Sequence, residues 1–202
     1  MNKTYYWGKP DTSVHFCESK YNTLDWIAEY QNTISAISYL IVGIFFLFSK
    51  KLRNIGYMIC ALGISTMIMH GTLRHYGQWL DETSMLMLSY ETIIYLNPSV
   101  NRLWLPVILG IYTYHIETFW LFASIFLIMQ LYILYLALSR ETNYNRYKTI
   151  ALDLYVASFV IALVFWILDQ TMCSYMGNIN GHAIWHIGTA SAMFFGYLSL
   201  LL

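Results

Sequence analysis

Long apolar segments occupy most of this chain and constrain its fold more than any other feature. A helix needs about 20 predominantly apolar residues to cross the hydrocarbon core of a bilayer. The segments of suitable composition are 34–49, 54–73, 79–97, 100–116, 118–139, 149–170 and 182–202. They predict an all-α integral membrane protein, a bundle of seven transmembrane helices. The links are short, so we expect a single domain over residues 1–202, with 1–33 as an N-terminal segment outside the membrane.

The fourth segment, 100–116, is marginally short, and Pro106 and Gly110 interrupt its apolar run. Its status matters because each crossing reverses the direction of the chain. If this segment does not cross, the last helix begins on the opposite side of the membrane, and the histidines near its start are separated from His70.

The composition excludes several classes of protein. Hydrophobic residues make up 58% of the chain and charged residues 11%, whereas soluble domains carry about 25% charged residues. Eleven basic and eleven acidic side chains balance, so no basic excess indicates a nucleic-acid partner. We expect a multi-pass protein surrounded by membrane lipids, in the endoplasmic reticulum or Golgi of a eukaryote or otherwise in the cell membrane.

The distribution of Lys and Arg predicts the orientation, since short cytoplasmic loops are enriched in both. Three alternate links carry seven of the eleven basic residues. These seven are Lys50, Lys51, Arg53, Arg102, Arg140, Arg146 and Lys148. The opposite face has Lys3, Lys9, Lys20 and Arg74. The pattern predicts an outside or lumenal N-terminus and a cytoplasmic C-terminus.

Histidines and an aspartate gather at one depth of this predicted bundle. His70 lies near the outer end of the second segment and Asp81 at the outer start of the third, and His182 and His186 lie in the first two turns of the seventh. The i, i+4 spacing projects the last two rings from one helix face about 6 Å apart. Because ionisable groups in membrane helices are costly and usually functional, this cluster predicts a metal site. The alternative is interfacial histidines bonded to backbone or lipid headgroups.

Three imidazoles with one open position are typical of catalytic zinc. Zinc lowers the pKa of water to about 7 and polarises a carbonyl, as amide hydrolysis requires. Asp81 is then a candidate to orient the water and accept its proton, or to support a ligand; alternatively it is a carboxylate favoured at a helix N-terminus. Thr66 either stabilises the oxyanion or bonds to its own i−4 carbonyl.

Four short blocks of the sequence resemble those of the alkaline ceramidases. They occur in the family's order and together extend over residues 6–190. The blocks are Tyr6-Trp7-Gly8 with Phe16-Cys17-Glu18, Ile27-Ala28-Glu29-Tyr30-Gln31-Asn32-Thr33-Ile34-Ser35, Met69-His70-Gly71-Thr72-Leu73 with Gln78-Trp79-Leu80-Asp81-Glu82, and His182-Ala183-Ile184-Trp185-His186-Ile187.

The resemblance implies a ceramidase-type fold related to the progestin and adiponectin receptors. It implies zinc held by His70, His182 and His186, with Asp81 as the catalytic aspartate. Thr66 stands where the family has a serine, which keeps the hydroxyl and adds a methyl group. The implied reaction is zinc-dependent hydrolysis of a ceramide-type lipid to a sphingoid base and a free fatty acid.

The resemblance also implies a disulfide between Cys17 and Cys173 on the outer face, with two free thiols as the alternative. Residues 166–169 resemble the end of the family's sixth helix. Asp169 is therefore a candidate to hold a metal ligand in position without binding the metal itself.

The family's calcium loop is altered in this chain. The corresponding positions hold His15, Phe16, Glu18, Lys20 and Glu29. Calcium requires hard oxygen ligands, yet a histidine replaces an aspartate and Lys20 replaces an asparagine. We expect Lys20 to lie between the two glutamates as an internal cation and calcium dependence to be lost. The alternative is a solvent-facing Lys20 and weak calcium binding.

Other functions fit parts of the pattern. A zinc-containing seven-helix receptor or sensor would use the metal structurally and release no fatty acid. A hydrolase of another lipid amide or ester would keep the same site, since the sequence does not specify the pocket walls. A bis-histidine haem protein would leave Asp81 without a role.

Overall fold

A computed structural model describes residues 5–139, 145–176 and 179–202. Lys3 and Arg140, which contributed to the orientation prediction, lie outside these ranges. Apart from an isolated bridge between Leu24 and Ile27, regular structure in the described residues is helical. The helices are α1 Tyr30–Ser35, α2 Ile37–Leu47, α3 Arg53–Thr72, α4 His75–Leu96, α5 Trp104–Tyr114, α6 Phe119–Ser139, α7 Arg146–Thr171, α8 Cys173–Met176 and α9 Gly181–Ser199.

The all-helical class is confirmed, and four stretches of the described residues are long and apolar enough to cross a membrane. They are Tyr30–Leu47, Arg53–Thr72, Phe119–Ser139 and Arg146–Thr171. The remaining long helices, α4 and α9, are not among these four stretches, and both carry polar residues of the site described below. Helix α5 has 11 residues, about 17 Å of rise, against a hydrocarbon core of about 30 Å.

Small residues let two pairs of helices approach closely. A Cβ atom on Gly43 of α2 would lie 2.9 Å from the carbonyl oxygen of Gly56, and one on Gly56 would lie 2.9 Å from the carbonyl oxygen of Gly43. On α9, a Cβ atom on Gly188 would lie 2.8 Å from the Cβ atom of Ala162 on α7. Backbone contact of this kind is the usual basis of helix packing in lipid, and it sets the position of α9 in the bundle.

The segment 5–29 packs over the end of the bundle where α3 ends and α4 begins. The last carbonyls of a helix lack intrahelical partners, and here the N–H groups of Ala28 and Glu29 donate to the carbonyls of Gly71 (2.9 Å) and His70 (3.0 Å). At the start of α4, Asp11 Oδ1 accepts from the N–H of His75 at 2.6 Å. These contacts bring the N-terminal segment directly onto the histidine cluster.

Candidate metal centre and active site

Three histidines from two helices meet at this end of the bundle. His70 is near the end of α3, and His182 and His186 share one face of α9. Their ring centroids lie 4.9, 4.9 and 4.5 Å apart, and one ligand atom of each lies within 4.8 Å of the others. All three are buried, with exposures of 0%, 4% and 2%. The arrangement can hold a metal ion.

Glu29 orients the first of these rings. His70 Nδ1 donates to Glu29 Oε2 at 2.6 Å, and both side chains are fully buried. The proton on Nδ1 leaves Nε2 with a lone pair, and this atom is buried without a hydrogen-bond partner among the described residues. A carboxylate behind a histidine is the usual support of a metal ligand, because it fixes the tautomer and raises the basicity of the ring.

His186 is oriented in the same way by α1. Its Nδ1 lies 3.1 Å from the carbonyl oxygen of Asn32 and 2.8 Å from Ser35 Oγ. A carbonyl can only accept, so Nδ1 carries the proton and Nε2 is available to a metal.

His182 completes the donor set. Its Nδ1 is buried without a hydrogen-bond partner among the described residues, and the ring of Phe16 lies against it with centroids 3.8 Å apart. Buried polar atoms are normally paired, so the unpaired nitrogens of His70 and His182 fit a metal ion that accepts their lone pairs.

Asp81 and Thr66 lie beside the cluster. Thr66 Oγ1 is 2.5 Å from Asp81 Oδ1 and 2.8 Å from the carbonyl oxygen of Leu62. Both side chains are buried. Because the hydroxyl has one proton and both neighbours are acceptors when Asp81 is ionised, Thr66 orients Asp81 in this geometry and has no second proton for an oxyanion.

The calcium-loop positions surround an ammonium group. Lys20 Nζ forms an ion pair with Glu29 Oε1 and donates to the carbonyl oxygen of Phe16 at 2.8 Å. Glu18 accepts from the N–H groups of Gln31 (2.6 Å) and Asn32 (2.8 Å) and so caps α1. His15 is exposed. This set of residues does not fit a calcium ion.

The pKa values of the two glutamates of this loop shift in opposite directions, although burial raises both. Burial raises the pKa of Glu18 above its ordinary value, although the two N–H donors oppose the rise. Burial alone would raise the pKa of Glu29, but the hydrogen bond from His70 and the Lys20 ammonium outweigh it and hold this pKa below its ordinary value. Glu29 is therefore an anion shared between Lys20 and His70.

Asp169 supports the site through backbone groups. Its Oδ1 accepts from the N–H of His182 and its Oδ2 from the N–H of Cys17, both at 3.2 Å. A disulfide joins Cys17 to Cys173, 156 residues later in the sequence. Asp169 thus accepts a hydrogen bond from the first turn of α9, where N–H groups lack intrahelical partners. This bond is made by the backbone of His182 and not by its ring.

A cavity of about 190 Å³ opens beside the cluster. At one end are the polar side chains of Thr66, Asp81, Glu82, His182 and His186. The rest of its wall is mainly aromatic and aliphatic, from α6, α7 and α9, and includes Phe122, Phe126, Phe159, Trp166 and Trp185. A ligand with a polar head and an apolar chain fits this division.

The model of the family named Ceramidase matches residues 8–202, nearly the whole chain. The chain belongs to the ceramidase family. This match confirms the resemblance that the sequence blocks predicted.

Curated relatives agree with this assignment. The chain is 28% identical to "Alkaline ceramidase" of Arabidopsis thaliana, over 90% of this chain and 80% of that protein. It is 28% identical to "Alkaline ceramidase 1" of Mus musculus, over 95% and 80%, and 26% identical to "Alkaline ceramidase 1" of Homo sapiens, over 95% and 82%.

Two smaller cavities extend the main one in this ceramidase-family chain. A cavity of about 40 Å³ shares the lining residues Phe126 and Trp185 with the main cavity. A further cavity of about 70 Å³ shares Ala192 and Met193 with the 40 Å³ cavity. The series continues to Leu200, at the far end of the bundle from the histidines. An extended hydrocarbon chain is the ligand shape that suits such a series.

Several residues around this ceramidase-family site were not predicted to act there. Glu29 was assigned to the calcium loop, and Asn32, Ser35, Gln78 and Glu82 were given no role. A signal was present for three of them, since Glu29, Asn32 and Ser35 recur every three residues and therefore share one face at the start of the first helix.

Proposed function

We propose that this chain is a zinc-dependent amidase that hydrolyses ceramide, an N-acyl sphingoid base, to a sphingoid base and a free fatty acid. The observation that carries the proposal is the buried triad of His70, His182 and His186, next to Asp81 at the polar end of an apolar cavity. Membership of the ceramidase family and the names of the relatives support ceramide as the substrate.

In the proposed site, His70, His182 and His186 hold zinc through ring nitrogens that have no proton. When bound, zinc supplies a Lewis acid and lowers the pKa of water. The three imidazoles are neutral donors, and Glu29 Oε2 and the carbonyl of Asn32 keep the protons of His70 and His186 on Nδ1. This leaves the ligand atoms of both rings facing the cluster.

Asp81 is the proposed proton carrier. Its Oδ1 is occupied by Thr66 Oγ1, which leaves Oδ2 to accept a proton from the attacking water. The water oxygen forms a bond to the acyl carbon, the C–N bond breaks, and the proton passes from Asp81 to the nitrogen of the leaving amine. Thr66 keeps the carboxylate oriented through both transfers.

We further propose seven crossings, with the N-terminus outside or lumenal and the C-terminus cytoplasmic. Lys51, in the basic link after α2, donates to the carbonyl oxygen of Leu200 after α9, whereas the N-terminal segment lies on the histidine cluster. The two chain ends thus lie at opposite ends of the bundle, as an odd number of crossings requires. The endoplasmic reticulum or Golgi of a eukaryote, or otherwise the cell membrane, is the proposed location, and residues 1–202 are proposed to form a single domain.

Calcium is proposed to be dispensable. The Lys20 ammonium already neutralises Glu29 and contacts the carbonyl oxygen of Phe16, and Glu18 is used to cap α1. A fixed cation of the chain thereby takes the structural role that a divalent ion would have in this loop.

Fatty-acid release from ceramides and zinc content, measured on the same detergent-purified samples, test the proposal. We compare wild type, His182→Ala and His115→Ala, because His115 is exposed and is not part of the cluster. Stoichiometric zinc and turnover in wild type and His115→Ala, with both sharply reduced in His182→Ala, would support the amidase. Zinc without turnover on any ceramide would exclude this substrate, and absence of zinc in wild type would exclude the mechanism.

A further inference from the structure

A second carboxyl group faces the cavity, and the mechanism above does not use it. Glu82 follows Asp81 on α4 and is 2% exposed. Its Oε1 accepts from Gln78 Nε2 at 3.0 Å. Its Oε2 is buried and has no hydrogen-bond partner among the described residues, although Glu82 lines the cavity together with His182 and His186.

A clamp holds this carboxyl in place. Gln78 is fully buried, and its side chain pairs with Ser13 twice: the N–H of Ser13 donates to Gln78 Oε1 at 2.8 Å, and Gln78 Nε2 lies 2.7 Å from Ser13 Oγ. The same Nε2 donates to Glu82. The orientation of Glu82 is therefore set by the N-terminal segment, and one of its oxygens remains available.

A buried carboxyl oxygen without a partner is costly. The Tyr112 hydroxyl lies close enough to interact with the Glu82 carboxyl, but Tyr112 does not line the cavity. A carboxyl group has further lone pairs, and Glu82 lines the cavity, so a ligand there can also bind this carboxyl.

We propose that Glu82 binds a hydroxyl group of the sphingoid base and thereby determines specificity for hydroxylated amides. This inference rests on the proposed amidase function. Both ceramide hydroxyls are on carbons adjacent to the one that bears the amide nitrogen, so a hydroxyl bound by Glu82 would keep that nitrogen close to Asp81. Because a hydroxyl both donates and accepts, it pairs with the carboxyl in either protonation state.

The test compares two substrates and four proteins. The substrates are a ceramide and an N-acyl alkylamine of equal chain lengths that lacks both hydroxyls. The proteins are wild type, Glu82→Leu, Glu82→Gln and the control Glu91→Gln. Glu91 is on the same helix but pairs with Arg102 at 2.8 Å, in contact with solvent. Glu82→Gln keeps an oxygen that can accept the hydrogen bond from Gln78, so it replaces the leucine variant in the test if that variant does not fold.

We expect Glu82→Leu to lower kcat/KM for the ceramide by about 10- to 100-fold, as loss of a hydrogen bond to a charged or buried partner does. The value for the hydroxyl-free amide should change by less than about threefold, since that substrate makes no such bond. Glu82→Gln should show a smaller loss of the same kind, and Glu91→Gln none. Equal losses on both substrates, or a wild type that does not discriminate between them, would overturn the inference.

Lipid-induced changes in melting temperature separate this inference from the proposed function, because they need no turnover. If no protein releases fatty acid but the ceramide stabilises wild type more than Glu82→Leu, the amidase proposal fails and the hydroxyl site stands. If turnover occurs while neither stabilisation nor substrate preference depends on Glu82, the hydroxyl site fails and the amidase stands.

Discussion

Glu29 and His70 are 41 residues apart in the sequence and share a fully buried hydrogen bond of 2.6 Å between Oε2 and Nδ1. The backbone brings them together, since the N–H of Glu29 donates to the carbonyl of His70 at the end of α3. The same carboxylate pairs with Lys20. One residue thereby connects the N-terminal loop to the proposed zinc ligand.

Glu29→Gln should weaken zinc binding by about 10- to 100-fold, because an amide polarises the His70 ring less than a carboxylate does. Competition with a chromogenic chelator measures this affinity. Glu117→Gln is the matched control, since that side chain is 76% exposed and pairs with His75, which is not one of the three clustered histidines. Equal zinc affinity in the two variants would contradict the proposed support of His70.

Asp81→Asn should lower kcat by about 10²- to 10⁴-fold, the usual contribution of a proton carrier, and leave the zinc content unchanged. Single-turnover release of fatty acid at saturating ceramide measures the effect. Asp153→Asn, on an exposed position of α7, should retain wild-type rates. A parallel loss of zinc in Asp81→Asn would instead identify Asp81 as a ligand.

The variants Thr66→Ser and Thr66→Val distinguish the effect of the Thr66 hydroxyl on activity from the effect of its methyl group. Serine keeps the donor to Asp81 Oδ1, so its kcat should stay within about threefold of wild type, whereas valine loses one hydrogen bond and should be about tenfold slower. Steady-state kinetics on one ceramide decide this. If valine is as active as serine, the 2.5 Å contact has no role in orienting Asp81.

Calcium should not change the melting temperature of metal-exchanged wild type, because the ammonium of Lys20 already pairs with Glu29. Lys20→Asn removes that cation and offers a carbonyl oxygen, so it should melt several degrees lower and regain stability with about 1 mM calcium. Lys9→Asn provides a control on an exposed part of the same segment. Stabilisation of wild type by calcium would contradict the proposal that the Lys20 ammonium takes the place of the ion.

Ala192→Phe should shift the preferred acyl chain to shorter lengths, since Ala192 lines the two deeper cavities. Overpacking also costs about 1–3 kcal/mol, so stability and zinc content are measured on the same samples. Ile187→Phe, at a 53% exposed position of the same helix, should keep the wild-type profile. An unchanged profile in a folded, zinc-loaded Ala192→Phe would place the acyl chain elsewhere.

Much of the helical architecture could be predicted from local pattern. The segments 54–73, 118–139, 149–170 and 182–202 agree closely with α3, α6, α7 and α9, because apolar length is what a bilayer requires of a helix. The first segment was predicted as one helix, whereas α1 and α2 divide at Ala36. The number of crossings and the orientation stay predictions.

The all-helical class, the family and the candidate residues of the metal site follow from patterns along the chain, since His182 and His186 are one helical turn apart and chain direction assigns His70 the same depth. The other features of the site depend on contacts between distant segments. Glu29 meets His70 only because unpaired carbonyls at the end of α3 accept the N–H groups of the N-terminal segment, and Glu82 faces the cavity only because Ser13 holds Gln78. Such hydrogen bonds join distant segments of the chain and do not recur at a regular spacing, so no pattern along the sequence predicts them.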